Sequence, residues 1–185
     1  MKKFTKIVSL ALALVCAVSV FSTAASAKTV RGYDYKRALT QEEIVQIYSI
    51  FDAEFYAAAN RDVMDYYGYK VYSSDCDFNL FSHFINYGIW EERQPNALFN
   101  VDVFATRNVD LRKEYGDDII AYYIYYATYP TCYLTRGNAT WGEAYRRNVD
   151  VYSVYDFNKG DGSLKAGALP MQTANYAPEL GIGVK

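Results

Sequence analysis

Histidine, tryptophan, cysteine and proline are all scarce: the 185 residues hold one, two, three and four of them. Chemistry that needs an imidazole must therefore run through His83, and a His-rich metal site is excluded. Charge of one sign is lacking too, since 19 Lys and Arg face 21 Asp and Glu, which excludes nucleic-acid binding by bulk charge. After the first 27 residues no apolar run approaches the ~20 residues that cross a bilayer. Gly-rich phosphate loops, the Gly-x-Ser-x-Gly elbow and the His-Glu-x-x-His zinc motif do not occur. Aromatic residues are plentiful, at 17% with 20 tyrosines, and the hydrophobic fraction is 51%. That excludes wholesale disorder and supplies a core for one domain.

The start of the chain reads as an export signal. Lys2, Lys3 and Lys6 precede an apolar run from Ile7 to Phe21, and Ala25-Ser26-Ala27 forms a small-x-small cleavage site. Residues 1–27 are expected to be removed. Cys16 follows Val15, where a lipoprotein would carry a small residue, so a lipid anchor is not expected. Cleavage would leave 16 basic against 21 acidic residues, a net charge of −5, with Cys76 and Cys132 the remaining cysteines. In an oxidising compartment these two predict one disulfide, worth about 4 kcal/mol by loop entropy. Two reduced thiols are the alternative.

The mature chain repeats itself. Phe51-Asp52-Ala53-Glu54-Phe55-Tyr56 through Asn60-Arg61-Asp62-Val63 aligns with Phe99-Asn100-Val101-Asp102-Val103-Phe104 through Asn108-Val109-Asp110-Leu111, and Gly68 aligns with Gly116, all at an offset of 48. Beyond the glycines, Asn79 to Ile85 matches Asp118 to Ile124 at an offset of 39, so the first copy carries nine extra residues that include Cys76. A period of 40–50 residues argues for stacked helices. Leu80, Phe81, Phe84 and Ile85 fall on one helical face, as do Ile119, Tyr122, Tyr123 and Tyr126. Thr40 to Glu43 forms a capping box, Asp52, Asn60 and Asn108 are candidate N-caps, and Gly68, Gly88 and Gly116 stand where C-caps belong. Tyr69 to Tyr72 is the one short segment that could be extended. The expected fold is all-α: an N-terminal helix, two degenerate helical repeats at about 51–95 and 99–129 within a domain of residues 28–155, and an irregular or disordered tail over 156–185.

The first copy, F-D-A-E-F-Y-A-A-A-N-R-D-V followed by H-F-I-N-Y-G-I-W-E-E-R, resembles short tandem helical repeats of exported bacterial proteins, with a consensus near F-D-x-x-Y-Y-x-x-x-N-P-D-V … H-F-x-x-Y-G-x-x-E-G-R. Arg61 stands at the usual Pro and Glu92 at the usual Gly. The second copy has Tyr122 at the His position and Ala127 at the Gly position, then runs into Tyr129-Pro130 without the E-x-x-R ending. The resemblance implies a secreted or cell-surface module without catalysis.

The residues offer little to an enzyme. Cys76 and His83 could pair as nucleophile and base, or join Cys132 around zinc, but each set is incomplete. The adjacent acids Glu42-Glu43, Glu91-Glu92 and Asp117-Asp118 do not present two carboxyls across a cleft. The Asp156 to Ser163 stretch resembles a calcium loop, yet its twelfth position is Gly167, and a polar turn explains it. Asn138-Ala139-Thr140 is a chance glycosylation triplet. No catalytic residue, metal or cofactor is therefore expected. Recognition falls to aromatics: Trp90 and Trp141 as exposed platforms, with Tyr122 and Tyr126 beside them. The expected function is a secreted interaction module whose partner is a cell-surface protein or glycan. A cell-wall or glycan binder is the alternative, and a small secreted hydrolase the third reading. Nucleic acid and stable membrane insertion are not expected.

Overall fold

The computed structural model describes residues 31–129, 131–137 and 139–171. The signal segment 1–27 with Cys16, Asn138 of the triplet, and the tail beyond Met171 lie outside the described residues. Among those described there are α-helices and short 3₁₀ and π turns but no strand, so the fold is all-α. No helix among them is long and apolar enough to cross a membrane.

The α-helices have five to ten residues, lengths at which isolated helices do not persist in water. Caps and tertiary packing must hold them. Helix α1, Gln41–Ser49, opens with the expected capping box: Thr40 Oγ1 accepts from Glu43 N at 3.2 Å while Glu43 Oε2 accepts from Thr40 N at 2.8 Å. The first copy contributes α2, Ala53–Ala59, α3, Arg61–Tyr66, and α4, Asp77–His83, which runs on into a π turn over Phe84–Gly88. The second contributes α5, Val101–Arg107, α6, Val109–Tyr115, and α7, Ile119–Thr128, followed by α8, Cys132–Arg136. Asp52 caps α2 and Asn100 caps α5 with their side chains.

The sequence alignment understates the repetition. Helix α9, Trp141–Arg146, is capped by Thr140 accepting from Glu143 N, the role of Asp52 and Asn100 in the earlier copies. Arg147-Asn148-Val149-Asp150 restates Arg107-Asn108-Val109-Asp110. The stretch resembles the start of a further unit, but no second helix follows it: Asn148 takes φ 50°, where Asn60 and Asn108 take −127° and −112°. The units also join alike. Asp52 N donates to Pro95 O at 2.9 Å, and Asn100 N donates to Ala139 O at 2.6 Å.

Phenylalanine and tyrosine rings fill the core. Phe51, Tyr56, Phe84 and Tyr123 form one chain of ring contacts, and Phe99, Phe104 and Tyr126 continue it. Residues just beyond the second copy close it. Val151, Val154, Tyr155 and Phe157 are fully buried, and Tyr155 OH donates to Trp90 O at 3.2 Å. From Phe157 onward a turn bonded at Asn158 N–Ser163 O carries Lys165 to Asp117, 2.6 Å away. The stretch from 156 to 171 is therefore irregular in backbone but packed on the body. Tyr69–Tyr72 forms no strand; Tyr69 instead stacks beside Tyr67 and accepts a hydrogen bond from Asn79.

Candidate functional site

The most regular polar motif is structural. Asn60 and Asn108 occupy N-cap positions of α3 and α6, but neither side chain caps its helix. Each donates back to the carbonyl four residues earlier, Tyr56 O at 2.9 Å and Phe104 O at 2.7 Å. Their oxygens then receive arginines. Arg93 donates to Asn60 Oδ1 and to both Asp62 oxygens, 2.7–2.9 Å away. Arg136 repeats the pattern on Asn108 and Asp110 at 2.7–3.0 Å. A planar guanidinium fits this fork as a lysine could not. The Asn-x-Asp motif is thus an arginine receptor that clasps the end of each copy to its middle. The second copy does not lose its terminal arginine; a shift in spacing hides Arg136 from a fixed-offset alignment.

His83 lies beside the first clasp. Its Nδ1 is hydrogen-bonded to the Tyr56 hydroxyl at 3.0 Å, and Tyr87 covers its ring. Burial, reinforced by the Arg93 charge, pulls its pKa down to about 4. The same burial pushes the Tyr56 hydroxyl well above its usual range. His83 is therefore a neutral packing residue at physiological pH.

The sequence-predicted binding residues are elsewhere than expected. Trp90 is 1% exposed and Trp141 6%, a correction to their reading as exposed platforms. Trp90 lies beneath the Gly32 and Tyr155 segments, and Trp141 fills a small core with Val103, Ala144 and Val151. Tyr122 and Tyr126 are buried as well; Tyr122 OH donates to Gly116 O at 2.8 Å, and Tyr126 stacks on Phe99. Cys76 and Cys132 are both buried and free, which corrects the expected disulfide. Cys76 packs at the start of α4 beside Ser73, whereas Cys132 opens α8, where burial raises its thiol pKa. No group of three or more His, Cys, Asp or Glu suited to a metal occurs among the described residues. The Asp156 to Ser163 loop uses its acids internally: Asp156 pairs with Arg31 at 2.5 Å, and Asp161 accepts from Ser163 N.

The candidate site is a surface pocket of about 390 Å³ lined by Tyr48, Phe51, Asp52, Ala53, Glu54, Tyr72 and Asp77. The end of α1, the start of α2 and the extra segment of the first copy meet there. Asp52 is fixed by its cap to Phe55 N at 3.0 Å, and Asp77 by accepting from Tyr72 OH at 2.8 Å. Burial, the Asp77 hydrogen bond and the nearby Glu54 and Asp52 charges push Tyr72 up to about 12. Three carboxylates and three aromatic rings thus line the walls, with no basic side chain among them. That combination attracts cationic and hydrogen-bond-donating groups and stacks on flat ones. Sequence reasoning passed over it because Tyr72 and Asp77 come from an insertion with no counterpart in the second copy. No protein-family model, curated protein or solved structure matches this chain.

Proposed function

We propose that the chain is an exported, non-catalytic interaction module that holds a partner on its surface. The observation that carries this reading is the acidic, aromatic-walled pocket at the head of the first copy, where caps and hydrogen bonds hold two of the three carboxylates in place. Preorganised acceptors lower the ordering cost of a bound partner. The export signal at residues 1–27 supports an extracellular location, with retention at the cell wall consistent with it. Secreted material beginning at Lys28, seen by intact mass, tests export. Incubating that material with labelled cell-surface proteins, beside albumin as control, tests binding. Saturable capture supports the module reading, and its absence for both proteins and cell-wall material removes it.

A glycan-binding reading keeps one specific observation. Tyr129, Tyr133 and Leu134 are exposed around the second clasp, with Tyr129 4.8 Å from the Tyr125 ring. Such a ledge suits sugar stacking. Retention on isolated sacculi that Tyr129→Ala and Tyr133→Ala abolish would favour it over a protein partner.

A further inference from the structure

The molecule contains its own comparison for the pocket. At the offset of 48, Phe51, Asp52, Ala53 and Glu54 correspond to Phe99, Asn100, Val101 and Asp102, and Ala58 corresponds to Thr106. In the second copy this edge of helix α5 is covered. The segment from Val151 to Tyr155 runs along it: Tyr152 N donates to Thr106 Oγ1 at 3.0 Å, and Val154 N donates to Asp102 Oδ1 at 3.0 Å. Val151 and Val154 are buried, and Asp102 is 0% exposed. In the first copy the same edge of α2 lies open, with Glu54 and Ala58 exposed and the pocket directly at Glu54. The nine-residue insertion does not fill it; it supplies Tyr72 and Asp77 as a far wall.

We propose that this pocket is a docking groove for an extended peptide segment of a partner protein. Its backbone N–H bonds the Glu54 carboxylate as Val154 N bonds Asp102, and an apolar side chain lies against Ala58 and the aromatic wall. The charge of the groove selects the peptide. Asp52, Glu54 and Asp77 line it without a basic residue, whereas Ser153-Val154-Tyr155-Asp156, the segment that covers the second copy, carries an acid of its own that Arg31 neutralises. An incoming segment therefore carries Lys or Arg beside its apolar residue. Flat aromatic rims accept such a cation by cation–π contact. The proposal rests on the interaction-module reading and names the chemistry of its partner.

The test uses mature residues 28–185 and two blocked, fluorescein-labelled peptides: Lys-Val-Tyr-Ser-Val-Tyr-Lys and the same peptide with Glu at both ends. Fluorescence polarisation is read at low and high salt. The basic peptide is expected to bind saturably, weaken with salt, and lose about tenfold in affinity to Glu54→Gln, the cost of removing one charge-assisted hydrogen bond. Methylation of the Val N–H at the fifth position is expected to produce a similar loss. The acidic peptide is expected not to bind. Glu54 is exposed, so Glu54→Gln should melt like the parent. Binding indifferent to Glu54→Gln, or no saturable binding, overturns the groove. A concentration-dependent dimer in sedimentation that Glu54→Gln dissolves also overturns it, because the occupant is then a second copy of this chain. Capture of cell-surface proteins or sacculi that survives Glu54→Gln leaves the module reading standing and this site refuted.

Discussion

His83 shows how a single side chain gains its properties from its neighbours. Burial and Arg93 hold its pKa near 4, below the ordinary value of about 6.5, so the fold favours the neutral ring. The unfolded chain then binds more protons between those values, and stability falls as pH drops from 6.5 towards 4. Removing that linkage is worth about 2 kcal/mol. His83→Gln keeps a hydrogen-bond partner for Tyr56 but cannot titrate. Urea midpoints at pH 7 and pH 4.5 are expected to drop less for His83→Gln than for the parent. Equal drops in the two proteins would put acid sensitivity on the paired carboxylates, Glu43, Asp62 and Asp110, whose lowered pKa values act in the same direction.

At the scale of elements, short helices depend on the fixtures between them. Each clasp ties the last turn of a copy to the start of its middle helix, α3 through Arg93 and α6 through Arg136. The first carries the more charged set of partners: Arg93 Nε also pairs with Glu91 at 2.6 Å and Tyr123 OH donates to the Arg93 carbonyl, whereas Arg136 Nε donates to the neutral Tyr125 hydroxyl at 3.0 Å. Arg93→Met is expected to destabilise by about 2 kcal/mol and Arg136→Met by about 1 kcal/mol. Each strands a buried Asn amide oxygen, Arg93→Met also strands the partly buried Glu91 carboxylate, and the exposed Asp62 and Asp110 return to water. Lysine at either position should rescue little, because it cannot fork. Thermal melts of the four variants check both the order and the failed rescue. Gly116 is a second fixture. It ends α6 at φ 60°, and a β-carbon there would strike the Lys159 backbone, so the loop beyond Phe157 can pack on α6 only across a glycine.

For the whole molecule, the boundary of the folded body lies further on than the end of the repeats. Val151, Val154, Tyr155 and Phe157 are buried core, and Arg31–Asp156 and Lys165–Asp117 tie both flanks to it. A chain ending at Asp150 would expose Asp102 and Trp90 and remove four core side chains. It is expected to lose cooperative unfolding, with near-ultraviolet circular dichroism collapsing while helical signal partly remains. A sharp melt for that truncation would mean that the repeats fold without their cover.

Local physics was legible in the residues: the all-α class, the Thr40 capping box, the Asp52 cap, the buried face of α7 and the offset of 48 all follow from short-range spacing and side-chain chemistry. What lay beyond reach depended on which distant segment covers which surface. Trp90 and Trp141 read as helix-end aromatics, yet Tyr155, 65 residues on, lies against Trp90, and Val103 of α5 packs with Trp141. Asn60 and Asn108 read as caps, but arginines more than 25 residues away claim their oxygens. The α2 and α5 edges carry similar residues, and only the tertiary path of residues 151–155 covers one and leaves the other open. Short-range rules determine helices because their hydrogen bonds close within four residues. Burial is decided by long-range packing, which a repeat's own letters do not record.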